Sequence, residues 1–137
     1  MTQEVHLSEE GGRVLGEAEQ FCRQSHLSIL APEHLLGAAL LVLGETHAGL
    51  PTPEEVASAF LATQGMGSEP TDGKVMFGSA ARDAINMVAG DVRRAGRQAI
   101  DARAIAVGVI QSGEVNPMFF STLGWSKDRL LGGIGTA

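Results

Sequence analysis

His6, His26, His34 and His47 are the residues that would have to carry metal binding or acid–base catalysis in this chain, and their spacing suits neither. There is no H-E-x-x-H, no cysteine partner, and no histidine pair at the separation that puts two ligands on one helical face. Glu33 and His34 are adjacent, so on a helix their side chains diverge by about 100°. No G-x-x-x-x-G-K-[ST] is present, and the glycines fall at expected helix ends and small contact positions, so the chain has no phosphate cradle with which to hydrolyse ATP. Cys22 lies on an apolar stripe without a second cysteine, which predicts a buried structural thiol and gives no reason for an oxidising compartment. These readings leave no catalytic residue, no metal and no cofactor.

The charges are unevenly spread. Residues 1–70 hold ten acids against Arg13 and Arg23, and residues 71–137 hold eight Lys or Arg against six acids, which gives −8 and +2 and the net −6 of the whole. Such a chain is repelled by phosphate backbones, and the cluster Arg93, Arg94, Arg97 is too small to reverse that. With one Trp, five Phe and no Tyr there are also few rings on which bases could stack, so nucleic acid is not an expected partner. The start, MTQEVHLSEEGG, lacks a basic region and an apolar core, and no apolar run approaches the ~20 residues that span a bilayer. The expectation is a cytoplasmic protein that does not meet a membrane.

What must position these residues is a duplicated unit. Val14 and Ala84, Leu15 and Ile85, Ala18 and Val88, Cys22 and Val92, Leu30 and Ile100, Leu35 and Ile105, and Leu40 and Ile110 all differ by 70 positions. Seven apolar pairs in one ungapped register define an internal repeat, which fixes architecture before any motif is read. A chain of 137 residues with 44% hydrophobic residues is long enough to bury roughly 68% of its unfolded surface in one domain.

Each repeat reads as helical. Ser8 is an N-cap followed by Glu9 and Glu10, and Val14, Leu15, Ala18, Phe21 and Cys22 keep a helical period. After the turn QSHLSIL, Pro32 suits a first helical position, with Leu35, Leu36, Ala39, Leu40 and Leu43 on a more buried helix. Beyond the loop GETHAGL, Thr52-Pro53-Glu54-Glu55 reads as a capping box opening a helix through Val56, Phe60 and Leu61 that ends by Gly65. In the second repeat Phe77-Gly78-Ser79 opens one helix, Asp101 caps the next, Asn116-Pro117 starts a third and Ser126 caps a last one. Its counterpart in the first repeat, MGSEPTDGK, is rich in turn formers, so a helix is missing there. No stretch alternates like a strand. The fold class expected is all-α, about seven helices in two pseudo-symmetric repeats of three to four, forming one compact domain: 7–65, a linker at 66–76, and 77–134.

The segments LSEEGGRVLGEAEQ and LAPEHLLGAALL, then FGSAARDAINMVAGDVRRAG, DARAIAVGVI and FFSTLGWSKDRLL, resemble the double Clp-N domain of the Clp/Hsp100 ATPases (ClpA, ClpB and ClpC type). The family pattern is an aromatic and a Thr before x-x-A, then V-L-x-x-A, then G-T-E-H-L-L-L-G-L-L. The resemblance covers nearly the whole chain in order and register. It departs in a longer loop around ETHAGLPT, in a shortened linker, and in having no ATPase domain after Ala137. It implies a non-catalytic docking module through which a Clp ATPase, its substrates or its adaptors meet, and in some members a site for phosphoarginine peptides. Residue by residue, Ser8 takes the place of the repeat's Thr and Glu33 that of its Glu, while Gly78 and Arg103 stand there in the second repeat. Two accounts of Glu33-His34 stay open: a one-sided ligand site with Ser8, or a helix-dipole and packing role. Arg93, Arg94 and Arg97 likewise either complement a helix C-terminus or form a docking patch. The competing function is a stress-related protein that sequesters small ligands or damaged chains independently of any Clp machine.

Overall fold

A computed structural model describes residues 6–24, 27, 29–47, 49–64 and 75–135, the side chains of 61, 63 and 64 excepted. His26 and residues 66–74 of the expected linker, with the place of the missing helix, lie outside the described residues. The order is β1 (His6–Leu7), α1 (Glu9–Gln24), β2 (Ile29–Leu30), α2 (Pro32–Gly44), α3 (Pro53–Gln64), β3 (Met76–Phe77), α4 (Ser79–Arg94), β4 (Ala99–Ile100), α5 (Ala102–Ser112), α6 (Pro117–Leu123) and α7 (Lys127–Gly135). The fold is all-α in two pseudo-symmetric halves: β1, α1, β2 and α2 recur as β3, α4, β4 and α5 with starts 70 positions apart.

The helices begin where capping chemistry places them. Ser8 Oγ accepts from the Gly11 N–H at 3.0 Å, Asp101 Oδ1 from Ala104 N–H at 2.8 Å, Asn116 Oδ1 from Met118 N–H at 2.9 Å, and Ser126 Oγ from Arg129 N–H at 3.1 Å. Thr52 and Glu55 form the reciprocal box, at 3.2 and 2.9 Å. At the start of α4 the cap position is held by Gly78. It has no side chain to offer, and α4 starts without a side-chain cap.

The four short strands were not expected from the sequence. Each has only two residues, too few to show an alternating pattern, and their partners are far away in the chain. They pair in parallel across the halves: His6 with Ala99 and Leu7 with Ile100 on one side, Ile29 with Met76 and Leu30 with Phe77 on the other. Their ends continue the link, with Ser8 N–H donating to the Ile100 carbonyl at 3.0 Å and Gly78 N–H to the Leu30 carbonyl at 2.9 Å.

One core serves both halves. Six of the seven repeated apolar pairs are buried at both members, and Leu15 and Ile85 pack half-buried against the same cluster. Helix α2 packs on α5 and α3 on α6, so the two halves share their most buried surfaces. An aromatic chain runs through the contact, Phe21 to Phe60 at 4.1 Å, Phe60 to Phe119 at 5.9 Å and Phe119 to Phe120 at 6.0 Å between ring centroids. Separating the halves therefore exposes several aliphatic side chains at about 1.5–3 kcal/mol each, against a typical total stability of about 5–15 kcal/mol. A fragment of residues 72–137 is expected to show no cooperative heat-absorption peak in calorimetry; a sharp transition would mean that the second half folds alone.

The cross-half contact also sets which glycines can change. Gly11 faces β4 so closely that a Cβ there would sit 2.1 Å from the Ile100 carbonyl oxygen, a backbone atom that cannot yield, whereas a Cβ at exposed Gly12 meets nothing within 4 Å. Gly12→Ala should raise stability by about 0.5–1 kcal/mol through helix propensity. Gly11→Ala should lower it by about 1–3 kcal/mol as an overpacked contact. Paired denaturant titrations measure both, and equal effects of the two changes would show that α1 does not press on β4.

Candidate functional site

Strand pairing decides which helix starts are neighbours, and it joins them across the halves. Ser8, at the start of α1, lies against the start of α5: its hydroxyl donates to the Ile100 carbonyl at 3.1 Å while accepting from Gly11, and Glu10 Oε1 accepts from the Ala102 N–H at 3.0 Å. A shallow cleft of about 500 Å³ opens here, lined by Ser8, Glu9, Glu10, Arg13 and Asp101. Glu33 is not among its walls. Arg13 is committed to Glu45 at 2.8 Å, and that contact holds the Glu45 carboxyl below its usual range and the guanidinium above its own.

Glu33 is placed differently. It is buried in the first turn of α2, and its Oε1 accepts from the Asn116 N–H at 2.6 Å, at the start of α6. A charge-assisted bond to backbone N–H is the kind that holds a helix start in place. Ser8 and Glu33 thus sit in two environments, one at the α1–α5 contact and one at the α2–α6 contact. The nearest strand link to Glu33 is the one between Leu30 and Gly78.

His34, next to it, is fully buried against the rings of Phe21 and Phe60, at 5.6 and 5.5 Å between centroids. Its Nδ1 accepts from Ala31 N–H at 2.9 Å, the reciprocal half of a capping box whose other half Ala31 has no polar side chain to supply. Nδ1 as acceptor puts the proton on Nε2, which is buried with no hydrogen-bond partner among the described residues. Desolvation lowers its pKa to about 4. Burial likewise pushes the Cys22 thiol up to about 11, with the charge of Glu19 adding to it, so this sulfur stays a protonated core atom.

The arginines separate as well. Arg94 pairs with Asp91, Arg97 with Asp101 at 3.2 Å, and Arg93 is exposed. Arg97 lines a groove of about 540 Å³ between α4 and α5. Its lining is mixed, with Val88, Val92, Ala104 and Val107 beside Asp91, Arg97, Arg103 and Gln111. Gly108 lets the helices approach, since a Cβ there would lie 2.3 Å from Val88 Cγ2. The groove was not expected from the sequence. The signal was present in the 70-residue register, where the rings of Phe21 and His34 align with Asp91 and Ala104, while Gly37 aligns with the larger Val107. A smaller apolar pocket of about 300 Å³ lies between the end of α2 and the long loop, with His47, Leu50 and Pro51 in its wall.

No protein-family model matches the sequence, and no curated protein does. The structure is similar to the crystal structure of the N-terminal domain of the caseinolytic protease associated chaperone ClpD from Arabidopsis thaliana, with a TM-score of 0.76 over 95% of each chain and 16% identity. It is also similar to the Hsp104 N-terminal domain from Candida albicans, with a TM-score of 0.70, 15% identity, and coverage of 93% of this chain and 88% of that one. The class defined by the architecture is an all-α domain of two interlocked halves. More particularly, it is a Clp-N-like fold.

The buried imidazole gives this site a measurable signature. His34 is neutral in the folded protein down to about pH 4, while in the unfolded chain it takes a proton near 6.5. The unfolded state therefore binds more protons in that window, and the stability present above pH 6.5 is lost as pH falls towards 4. Between pH 6.5 and 5 the loss should be roughly 1.5–2 kcal/mol. Denaturant titrations at those two values check it. His34→Gln, which cannot titrate, should flatten the difference, and an unchanged slope would assign the pH dependence to other groups.

Proposed function

We propose that this chain is a non-catalytic protein-binding module that docks substrates, adaptors or regulators to a Clp-type chaperone or protease system in the cytoplasm. It acts as a single unit, with residues 7–65 and 77–134 as halves and 66–76 between them. The observation that carries the reading is the α4–α5 groove, an open slot in which aliphatic and charged side chains share the lining. Apolar concavities with a few polar groups at the rim are where extended or helical segments of other proteins seat. The Clp-N-like fold supports the same reading, because the two similar domains belong to a chaperone associated with a protease and to Hsp104. The chemically quiet state of the groups that could react, a histidine with a pKa of about 4 and a thiol with a pKa of about 11, fits a binding role better than a catalytic one. Among the described residues no helix is long and apolar enough to cross a membrane, and no group of three or more His, Cys, Asp or Glu could hold a metal.

Phosphoarginine recognition at Ser8 and Glu33 has less support than binding at the groove. Ser8 uses its hydroxyl in both directions, and Glu33 holds the start of α6. Arg97, of the arginine patch, is the member with a place in the proposed interface. The reading is tested by adding the purified chain to a reconstituted Clp ATPase and protease degrading a permanently unfolded, carboxymethylated protein. The degradation rate should change in a saturable way as the chain is added, and the chain should bind the unfolded protein directly. Binding without any effect on degradation would favour a sequestering protein that works apart from a Clp machine. Absence of both would end the protein-binding reading.

A further inference from the structure

The groove between α4 and α5 is polar at positions where the first half is apolar or acidic. Asp91, Arg97, Arg103 and Gln111 lie in its lining beside aliphatic side chains. Seventy positions earlier stand Phe21, Leu27, Glu33 and Leu41, three apolar residues and a buried carboxylate. The first half builds the same pair of helices with no guanidinium at either place, so helix packing does not require Arg97 or Arg103.

The cations there are not used up within the chain. Asp91 is engaged by Arg94, and Asp101 takes one N–H of Arg97 at 3.2 Å while its other oxygen caps α5 through Ala104. A guanidinium has five N–H donors, so Arg97 keeps some for a further acceptor. Arg103 is exposed, donates to the Gly135 carbonyl at 3.1 Å, and pairs with no carboxylate among the described residues. With Asp91 matched by Arg94 and Arg97 by Asp101, the charge of Arg103 is left over, a positive site on a chain of net charge −6. Guanidinium groups take carboxylates in planar, charge-assisted bonds. The valines beside them give an aliphatic surface that a nucleic-acid backbone would leave uncovered.

We propose that the α4–α5 groove docks an acidic segment of a partner polypeptide, with side-chain carboxylates on Arg103 and Arg97 and an aliphatic side chain between them over Val88, Val92 and Val107. The proposal rests on the reading of the chain as a protein-binding module and names the partner chemistry that this module selects. Arg103 contributes most, because its charge has no acid of its own, and charge complementarity sets the register and sign of the segment. Gln111 adds an amide that can bond a peptide group. The first half does not offer this choice: the crevice between α1 and α2, with Glu17, Gln20 and Gln24 around Phe21, has no cation in its lining and an acid that repels the same segment.

The experiment uses the full chain and short, fluorescently labelled, C-terminally amidated peptides with Glu-Leu-Glu at the centre, read by anisotropy. Replacing both Glu by Gln should weaken binding by about tenfold or more, and Leu by Ser by roughly a few-fold. Arg103→Gln should weaken the Glu peptide by about tenfold. Arg103→Glu, an exposed change that leaves the core intact, should make a Lys-Leu-Lys peptide the better ligand. Arg93→Gln, which removes an exposed charge of α4 outside the groove's lining, should change binding by less than about twofold. Equal binding of the Glu and Gln peptides overturns the acidic specificity, and equal losses in Arg103→Gln and Arg93→Gln overturn the groove as its place. A single-stranded oligonucleotide of the same charge binding as tightly as the Glu peptide overturns the polypeptide as occupant. If any of these happens while the carboxymethylated unfolded protein still binds, the partner chemistry is wrong and the module reading survives. If the unfolded protein does not bind either, both fail together.

Discussion

Two backbone carbonyls, those of Leu30 and Ile100, fix how the halves of this fold meet. Each ends a two-residue strand, each stands 70 positions from the other, and each accepts the N–H that precedes a helix in the opposite half. A parallel pair cannot be closed by a tight turn, so its strands must come from distant parts of the chain. Here that requirement is met by duplication, with the first and second halves each giving one strand to each pair. The consequence is that α1 starts beside α5 and α4 beside α2, and any site made at helix N-termini draws on both halves.

That geometry makes the differences between halves more informative than their similarities. Where the first half has Ser8, the second has Gly78, and α4 begins without a side-chain cap. Where the first has Glu33, tied to the Asn116 N–H and closed to solvent, the second has the exposed Arg103. Where the first has Phe21, stacked on Phe60, the second has Asp91, paired with Arg94. Each pair occupies equivalent backbone positions, so the backbone does not force the difference. The first half packs the Phe60 ring beside Phe21 and His34, and the second presents a groove of mixed aliphatic and charged lining.

Much of the fold was legible because its signals are local. A capping residue acts on the N–H groups two or three positions on, and an apolar stripe repeats every turn, so Ser8, Thr52, Asp101, Asn116 and Ser126 could be read one at a time. The duplicated core was legible for a related reason: both halves bury the same positions, and the register survived without a gap. The strands were not legible, since two residues carry no period, and pairing of His6 with Ala99 or Ile29 with Met76 leaves no local trace. For the same reason Ser8 and Glu33 were grouped by their shared repeat, whereas Ser8 meets Ile100 and Glu33 meets Asn116. The groove was hidden because the loss of the Phe21 and His34 rings at Asp91 and Ala104 shows only when the two halves are set side by side.

The buried pair Glu33-His34 shows how closing one half bears on the other. His34 takes up a capping-box bond with Nδ1 and packs its ring beside Phe21 and Phe60, and its buried Nε2 has no hydrogen-bond partner among the described residues. Glu33 reaches across to fix the start of α6, the helix whose Phe119 meets Phe60. Glu33 therefore ties the start of α6 to α2, and His34 packs beside the Phe60 ring that Phe119 meets. The α6 ring thus completes the core that both halves share, and the α4–α5 groove is lined by residues of the second half alone.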